Sequence, residues 1–533
     1  MNGSISKDEK NIPRIMIAAV SSGSGKTVIT CGFLELLKRR GYSPVSFKCG
    51  PDYIDPMFHR TVLGVDSQNL DTFLAGSEGV LDVFEDALDL WSAKNGGKCV
   101  AVMEGVMGIY DGLSPDSVDG SCYEIAKITG TPIILVVNCA GIGRTVISVI
   151  KGILAEDGEN LVNGIILNRM SAPYFERIRP ALESELAKIR DDVRIVGHIP
   201  KNDAMRLESR YLGLVLPGEM NDLRQKVSGV ADVIEECCDF GSVMGLARAD
   251  KTVSSKTQAV NEGQAAKSFR ENHVETPALD EVFHESSVSC VGTRAGARFR
   301  GNCFERLPSC TLAVARDEAF CFYYQENLRL LERLGVSIEY FSPLHDRKLP
   351  DNVSGMLLGG GYPELHLREL SSNVSMIASV ENAIRSGMPS LAECGGFMYL
   401  HHAIEGPDKK EYEMVGVVDG VCRNTGHLVD FGYARIVGSA DENDSSSANN
   451  KAEYEPGTCD FLGKLTGMRG HEFHYYDTSC EEKDMILEKA STKKRYDSMI
   501  VGESSLWGFL HLYYPSKPEA VMAFIERMRR YAG

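Results

Sequence analysis

Long apolar runs are absent from this sequence. The longest purely aliphatic stretch, Ile133 to Val137, has the length of a buried strand and not the roughly 20 residues that a membrane-spanning helix needs. The first residues, Met1 to Asn11, are polar and carry no basic and then apolar secretory signal. These absences exclude a membrane span and lead us to expect a cytoplasmic protein.

Paired cysteine motifs and an excess of positive charge are also absent. The 15 cysteines form no CxxC pair, and Cys31, Cys99 and Cys139 lie in apolar segments, which is typical of reduced thiols and gives no indication of a zinc or iron-sulfur site. The 57 Lys and Arg residues are outnumbered by 74 Asp and Glu, for a formal net charge of −17. A surface of this sign opposes binding to a nucleic-acid backbone, so we exclude nucleic acid as a partner.

Alternating strand and helix patterns are present in both halves of the chain. A length of 533 residues exceeds what one hydrophobic core usually supports, so we expect two or three domains. Short β-branched runs alternate with longer amphipathic segments, which predicts parallel sheets with helices on both faces. In the first half these runs are Ile15 to Val20, Val45 to Phe47, Val100 to Met103, Pro132 to Val137, Val162 to Leu167 and Val193 to Ile199. In the second half they are Cys310 to Ala315, Val336 to Phe341, Gly355 to Leu358 and Met388 to Ala392.

Two polar segments interrupt this pattern. Residues 244–308 are rich in Ser, Ala, Gly and charge, which predicts a linker or an insertion, and residues 438–457 predict a second, surface insertion. The predicted fold class is therefore α/β with two modules. These are an N-terminal P-loop parallel-sheet domain over residues 12–243 and a C-terminal α/β domain over residues 309–533.

A phosphate-binding loop is indicated after the first strand. Ser21-Ser22-Gly23-Ser24-Gly25-Lys26-Thr27 follows an apolar run and opens a helix, so backbone N–H groups and the helix N terminus would cradle phosphates. Lys26 would add a positive charge, and Thr27 would offer its hydroxyl to Mg²⁺. A standard loop has glycine five residues before Gly25, where this chain has Val20. The alternative is a Ser- and Gly-rich turn that caps a helix.

Carboxylates and an amide follow other predicted strands. Asp52 and Asp55 lie in the string from Gly50 to Pro56, and Glu104 and Asp111 lie in the string from Glu104 to Gly112. Because ligands of open α/β sheets bind outside the carboxyl ends of strands, we expect these groups to converge on the loop. Mg²⁺ takes oxygen ligands, which Thr27, Glu104 and one of Asp52 or Asp55 could supply. Each carboxylate could alternatively be a turn former, and Asn168 could present its amide to a purine.

A nucleophile is indicated at Cys394. It lies between a strand and a predicted helix, flanked by small residues that permit a sharp turn, and a helix N terminus lowers the pKa of a thiol. The alternative is a buried core cysteine. The three glycines from Gly359 to Gly361 end another strand and could direct N–H groups at an oxyanion, or form a flexible turn. A thiolate also needs a histidine base, and His471, His474 and His511 are candidates, with a slight preference for His511.

These motifs together resemble the cobyrinate a,c-diamide synthase family, in which a dethiobiotin synthetase-like ATP domain is fused to a class I-like glutamine amidotransferase domain. The stretches that carry the resemblance cover nearly all of the chain outside the two polar segments. They are Ser22 to Thr27, Phe47 to Pro56, Glu104 to Gly112, Ala315 to Phe320, Phe341 to Leu344, Gly359 to Leu365, Ala392 to Leu400, Gly470 to His474 and Leu510 to Leu512.

The resemblance implies a glutamine-hydrolysing carbon–nitrogen ligase of cobalamin biosynthesis. ATP would phosphorylate the a and c acetate carboxylates of cobyrinate, and ammonia from glutamine would displace the phosphate. The implied residues are Ser24, Gly25, Lys26, Thr27 and Asn168 for ATP, Thr27, Asp52 and Glu104 for Mg²⁺, Asp52, Tyr53, Asp55 and Asp111 for the macrocycle, and Cys394 with His511 for glutamine hydrolysis.

Two departures and several alternatives accompany the resemblance. The family loop usually begins with glycine at the position of Ala19. The carboxylate that class I enzymes carry two residues after the histidine is replaced by Tyr513, so we assign no third member to the Cys394–His511 pair. The alternative functions are a nickel-sirohydrochlorin a,c-diamide synthase, and a non-catalytic P-loop ATPase with an inactive amidotransferase domain. The expected partners are a tetrapyrrole polycarboxylate, ATP and L-glutamine, and a homodimer is left open.

Overall fold

The computed structural model describes residues 12–95, 98–205, 220–248, 310–439 and 461–532. Most of the predicted linker at 244–308, and all but the first two residues of the predicted insertion at 438–457, lie outside these ranges. At their edges, a helix over Phe240–Ala247 and a strand over Asp430–Ser439 extend into the two predicted segments.

The N-terminal module is built on a seven-stranded sheet in which every neighbouring pair is parallel. Its strands, β1 to β7 in chain order, are Arg14–Ala19, Ser43–Cys49, Ser67–Leu70, Cys99–Glu104, Ile133–Asn138, Val162–Asn168 and Arg194–Ile199. They lie in the order β3-β2-β4-β1-β5-β6-β7. The predicted parallel sheet is thus confirmed, whereas β3 was not predicted.

Helices cover both faces of this sheet because successive strand residues point to opposite sides. In β1, Ile15 and Ile17 pack into the core on one face, and Met16 and Ala18 pack into the core on the other. The helices are Lys26–Arg39, Ile54–Phe58, Thr72–Asn95, Cys122–Thr129, Thr145–Glu156, Ala172–Ala187, Met220–Cys237 and Phe240–Ala247. The first of these ends two residues before Gly41, which adopts a left-handed φ of 76° that favours glycine after a helix.

The C-terminal module has a six-stranded sheet that is parallel except at one edge pair. The described strands of the whole module, β8 to β24 in chain order, are Cys310–Ala315, Phe320–Phe322, Val336–Phe341, Gly355–Leu358, Gly360–Gly361, Ser390–Glu393, His401–Glu405, Glu411–Glu413, Val418–Asn424, Asp430–Ser439, Arg469–His474, Tyr476–Thr478, Met485–Lys489, Arg495–Ser498, Ile500–Gly502, Ser505–Gly508 and His511–Tyr513. The main sheet has the order β10-β8-β11-β13-β23-β22. A five-stranded antiparallel sheet, β21-β20-β17-β18-β24, and a four-stranded sheet, β15-β14-β16-β19, accompany it.

The helices of this module are shorter on average than those of the first. They are Gln325–Arg333, Leu367–Ser372, Val374–Arg385, Gly395–Leu400, Phe461–Leu465 and Pro518–Ala532. Among the residues that the structure describes, no helix of either module has the length and apolar character to cross a bilayer.

The two modules meet at strand β3, the edge of the N-terminal sheet. The carboxylate of Glu326, in helix Gln325–Arg333, accepts a hydrogen bond from the backbone N–H of Asn69 at 2.9 Å. Three residues further along the same helix, Arg329 pairs with Asp66 at 2.8 Å. One backbone N–H of this edge strand therefore finds a partner in the second module, on the side where a further strand could otherwise pair.

Candidate active sites

The phosphate loop joins β1 to helix Lys26–Arg39. Gly23 and Gly25 have φ angles of 72° and 96°, in the left-handed region that favours glycine. A Cβ at Gly25 would also lie 2.6 Å from Nδ2 of Asn168, so no side chain fits there. The same Nδ2 donates to the carbonyl oxygen of Ser24 at 2.8 Å. Asn168 thus holds the loop backbone, and its contact with a purine stays a prediction.

Lys26 lies buried beneath the loop that follows β4. Its ammonium donates to the carbonyl oxygens of Ser21 at 3.2 Å and Met107 at 2.5 Å. Burial lowers the pKa of Lys26, an effect that nearby acidic groups, Asp111 among them, oppose. Asp111 itself is exposed, and its Oδ2 accepts the N–H of Gly108 at 2.7 Å. The structure therefore brings the predicted phosphate-binding lysine and the Glu104 to Gly112 string together.

A buried ionic cluster lies at the ends of β2 and β4, next to the phosphate loop. The ammonium of Lys48 donates to Asp55 Oδ2 at 2.5 Å and to Glu104 Oε1 at 2.8 Å. The Thr27 hydroxyl donates to the same Glu104 oxygen at 2.5 Å and lies 3.4 Å from Asp55 Oδ2. Sequence reasoning missed Lys48, although a lysine within a buried strand is rare unless it is paired. Predicted metal ligands and a buried cation thus share one site.

Burial and charge act in opposite directions on the carboxylates of this cluster. Burial, and then the charge of Asp55, raises the pKa of Glu104 to about 8. Burial would also raise the pKa of Asp55, but the charge and hydrogen bond of Lys48 outweigh it and lower that pKa. Oε2 of Glu104 is buried and has no hydrogen-bond partner among the described residues. The oxygens of Thr27, Asp55 and Glu104 therefore fit the hard ligands that Mg²⁺ prefers.

Of the two aspartates proposed from sequence, Asp55 lies closer to the other predicted ligands. Asp52 instead uses Oδ1 to accept the N–H of Ile54 at 2.8 Å, at the start of helix Ile54–Phe58. Its Oδ2 lies 3.8 Å from the ammonium of Lys48. Asp52 is therefore placed at the rim of the cluster, while its partly exposed carboxylate remains accessible to a substrate.

Tyr53 reaches from the N-terminal module into an aromatic cluster of the C-terminal module. Its ring stacks on Phe322 with 5.3 Å between centroids and an interplanar angle of 8°. It also contacts Tyr324 at 4.5 Å and the imidazole of His511 at 5.1 Å. A residue predicted to bind the acceptor substrate is thus in contact with the predicted base of the glutaminase site.

Cys394 occupies a sharp turn between β13 and helix Gly395–Leu400. Its φ and ψ are 50° and −106°, a combination that a non-glycine residue rarely adopts. Its N–H donates to the carbonyl oxygen of Gly508 at 2.8 Å, which fixes the turn to the end of β23. At Gly396 a Cβ would lie 2.1 Å from the carbonyl oxygen of Leu358, so the residues after the cysteine must be small. A sharp strand-to-helix turn of this kind is the backbone geometry that presents a nucleophile in other enzymes.

The thiol of Cys394 is harder to ionise than the sequence suggested. Burial, and then the charge of Glu364, raises its pKa to about 12, whereas the Gly395 N–H at the helix start acts in the opposite direction. Burial also raises the pKa of Glu364 to about 7. The helix of only six residues does not offset burial, so the thiol needs a base to release its proton.

His511 lies at the start of β24, three residues after the Gly508 carbonyl that binds Cys394. A Cβ at Gly360 would lie 2.2 Å from Cε1 of His511, so the predicted glycine turn passes directly against the imidazole. The N–H of Gly359 donates to the Tyr323 hydroxyl at 2.9 Å and is therefore already engaged. Burial, followed by the charges of two other histidines, lowers the pKa of His511 to about 3, which keeps the ring neutral.

The two histidines that competed with His511 lie on the neighbouring strand β18. His471 is directly opposite His511 in the strand pairing, and burial lowers its pKa to about 4. His474 binds the carbonyl oxygen of Tyr476 through Nδ1 at 2.7 Å and stacks on Phe509 with 4.1 Å between centroids. Both lie near enough to His511 for their charges to lower its pKa. Of the three histidines, His511 lies three residues after Gly508, whose carbonyl oxygen accepts the Cys394 N–H.

Comparisons with known proteins agree with this division into two sites. A CobQ/CobB/MinD/ParA nucleotide binding domain matches residues 15–214. A CobB/CobQ-like glutamine amidotransferase domain matches residues 311–518. The first match contains the phosphate loop and the ionic cluster, and the second contains Cys394 and His511.

Several relatives that match nearly the whole chain share one name. The chain is similar to the cobyrinate a,c-diamide synthase of Dehalococcoides mccartyi, with 33% identity over 97% of this chain and 98% of that one. It is similar to the enzyme of that name from Priestia megaterium, at 31% identity over 97% of each chain. The one from Clostridium acetobutylicum is 35% identical over 92% of each.

A nucleotide-binding domain and a glutamine amidotransferase domain in one chain make a glutamine-hydrolysing carbon–nitrogen ligase, and this chain is an ATP-binding enzyme of that class. With roughly one third of its residues identical over more than nine-tenths of its length, the chain belongs to the cobyrinate a,c-diamide synthase family.

Proposed function

We propose that this chain converts the a and c acetate carboxylates of cobyrinate into amides during cobalamin biosynthesis, with ATP and glutamine as co-substrates. The contact between Tyr53 and His511 is the observation that carries the proposal, since it joins a phosphate-binding site to a glutaminase site. The choice of cobyrinate rests on the names of the relatives.

The N-terminal module is proposed to activate the carboxylate. A carboxylate oxygen attacks the γ-phosphorus of ATP, ADP leaves, and the product is an acyl phosphate whose leaving group is phosphate instead of oxide. Ser24, Gly25 and Thr27 would bind the phosphates with Lys26, and Asn168 would support the loop. Thr27 and Glu104, with Asp55 or Asp52, would hold Mg²⁺. When bound, the metal would neutralise the charge that develops on the transferred phosphoryl group.

The acceptor is proposed to lie along the Gly50 to Pro56 string. Asp52, Tyr53 and Asp55 follow β2, and Asp111 lies exposed beside Lys26. The carboxylate side chains can bind the polar rim of the macrocycle, where the amides form, once Lys48 or the metal neutralises their negative charge. These four residues would orient one acetate arm toward the γ-phosphate.

The C-terminal module is proposed to supply ammonia. The Cys394 sulfur attacks the carboxamide carbon of glutamine while His511 takes the thiol proton and returns it to the departing nitrogen. Water then hydrolyses the thioester to glutamate. Ammonia attacks the acyl phosphate, a carbon–nitrogen bond forms, and phosphate leaves. Release next to Tyr53 would keep ammonia unprotonated until it reacts.

The domain boundaries are part of this proposal. Residues 12–243 would form the ATP- and substrate-binding domain, 309–533 the amidotransferase domain, and 244–308 a polar linker or insertion. A second insertion would lie at 438–457.

Mass spectrometry tests the substrate. Cobyrinate and nickel-sirohydrochlorin are each incubated with the enzyme, ATP, Mg²⁺ and glutamine. Two successive exchanges of –OH for –NH₂ on cobyrinate alone are the expected result. The same exchanges on nickel-sirohydrochlorin alone would replace the proposed substrate with the alternative one. ATP hydrolysis with no glutamate released and no amide formed would contradict the proposal as a whole.

A further inference from the structure

A buried carboxylate lies directly before the nucleophile. Glu393 is the last residue of β13, and its side chain is 6% exposed. Its Oε1 accepts a hydrogen bond from the hydroxyl of Tyr514 at 3.0 Å. Its Oε2 lies 3.9 Å from Nδ1 of His511. A fully buried carboxyl group is costly unless other groups satisfy it, so its position beside the glutaminase histidine calls for a reason.

One nitrogen of the His511 imidazole lacks a hydrogen-bond partner among the described residues. That atom, Nδ1, is buried. The residue two positions later, Tyr513, is 2% exposed and packs its ring edge-on against Tyr324, with 5.5 Å between centroids. It has no carboxylate that could accept a hydrogen bond from the imidazole. Glu393 is the carboxylate that the structure records beside Nδ1, at a distance about 1 Å longer than a hydrogen bond.

We propose that Glu393 is the positioning residue of the Cys394–His511 pair and takes the part of the acid that the sequence lacks after His511. This inference rests on the proposed glutaminase role of Cys394. A small rotation of the imidazole lets Nδ1–H donate to Glu393, which leaves Nε2 free to accept the thiol proton. Once the proton has moved, the carboxylate stabilises the imidazolium through the same hydrogen bond.

The electrostatics of the pocket explain why such a partner is needed. Burial raises the pKa of Glu393 to about 8 and the pKa of Cys394 to about 12, and it lowers the pKa of His511 to about 3. Each group alone therefore resists charge. A thiolate beside an imidazolium beside a carboxylate places alternating charges in contact, which offsets part of the cost of burying them.

A purely structural role for Glu393 is the competing explanation. The carboxylate also accepts the backbone N–H of Leu512 in β24, so it could serve only to hold that N–H and the Tyr514 hydroxyl, and removing it would then disturb β24. Two variants separate these roles. Glu393→Gln keeps an oxygen that can accept from Tyr514 but removes the negative charge, whereas Tyr514→Phe removes that hydrogen bond and keeps the carboxylate.

The experiment measures glutamate release and the alkylation rate of Cys394 by iodoacetamide, followed on the Cys394 peptide by mass spectrometry. In Glu393→Gln we expect kcat for glutamine to fall by about 100-fold with little change in KM, and alkylation to slow. Glu393→Asp should recover part of the loss. Tyr514→Phe should stay within about threefold of the unmodified chain, because it leaves the carboxylate beside Nδ1 of His511 in place.

Two outcomes would overturn the proposal. Equal losses in Glu393→Gln and Tyr514→Phe would assign Glu393 a structural role, and unchanged kcat and alkylation in Glu393→Gln would assign it no role in the glutaminase. Amidation of Glu393→Gln with ammonium as the nitrogen source should be unchanged, which controls for folding. Because alkylation of Cys394 requires no macrocycle, failure of the proposed substrate would leave this test intact.

Discussion

The ring of Tyr53 lies 5.1 Å from the imidazole of His511, centroid to centroid. One residue belongs to the string that follows β2 in the ATP module, and the other begins β24 in the amidotransferase module. Asp52, immediately before Tyr53, is proposed to bind the acceptor. If the string from Gly50 to Pro56 moves when the substrate binds, the Tyr53 side chain would therefore move against the imidazole of His511.

We expect Tyr53→Ala to uncouple the two reactions. Without the ring, the packing that ties His511 to the acceptor site is lost, and glutamate should be released in excess over amide formed. Tyr53→Phe keeps the ring contacts and should keep the ratio near one glutamate per amide. The measurement is the ratio of glutamate to amide under saturating ATP, and an unchanged ratio in Tyr53→Ala would contradict the expectation.

Cys394→Ala should abolish the use of glutamine and preserve amidation with high ammonium. The reason is that the thiol forms and breaks the bond to the glutamine carbonyl, whereas the acyl phosphate is made in the other module. Amide formation is assayed with each nitrogen source. Cys422→Ala offers a matched control, since Cys422 is also buried in the same core cluster. Loss of activity with both nitrogen sources in Cys394→Ala alone would argue against separable sites.

Lys26→Ala should remove amidation with either nitrogen source, together with ATP hydrolysis. The ammonium is buried and donates to the carbonyl oxygen of Ser21 in the phosphate loop, where it would neutralise phosphate charge. A loss of at least about 100-fold in kcat is expected, as for other groups that stabilise a transferring phosphoryl. Lys151→Ala, which breaks a surface pair with Glu185, is the control and should stay close to normal. Amide formation by Lys26→Ala at the normal rate would remove the loop from the mechanism.

Glu104→Gln should stabilise the ligand-free chain while abolishing its activity. Because burial raises the pKa of Glu104 from 4.5 to about 8, the folded chain keeps a proton that the unfolded chain releases over this range. Folding is therefore penalised increasingly as the pH rises from about 4.5 to 8, and the penalty is absent in the glutamine variant. We expect a gain of about 4 kcal/mol at pH 8, since each unit of pKa shift is worth about 1.4 kcal/mol, and almost none below pH 4.5.

Thermal unfolding at several pH values measures this gain. The difference in midpoint between Glu104→Gln and the unmodified chain should widen with pH across that window. Glu332→Gln, at an exposed helix position, should show no such trend. A difference that stays constant or narrows with pH would contradict the proposed cause.

Much of the N-terminal module could be predicted because its strands are continuous apolar runs. The strand Ser67–Leu70 could not, since three of its four residues are polar although all four are buried. The same holds for the antiparallel strands of the C-terminal module, such as Arg469–His474, whose residues alternate without an apolar majority. Local patterns do not record which surfaces will meet.

The candidate sites divide in the same way. Lys26 and Cys394 belong to short motifs in which neighbouring residues explain their chemistry. Lys48 and Glu393 were missed because their importance lies in partners far along the chain, namely Glu104 and His511. Tertiary pairing of this kind leaves only a weak trace in sequence, as a charged residue within an otherwise apolar strand.

The bond between Asn69 and Glu326 has a consequence for how the chain can be divided. A fragment that ended before the second module would expose the outer edge of β3, with free N–H and C=O groups able to recruit a strand from a neighbouring molecule. Expressing the N-terminal module alone would therefore expose a strand edge that the second module contacts in the full chain, and this edge could promote self-association. The second module therefore also protects the N-terminal module against aggregation.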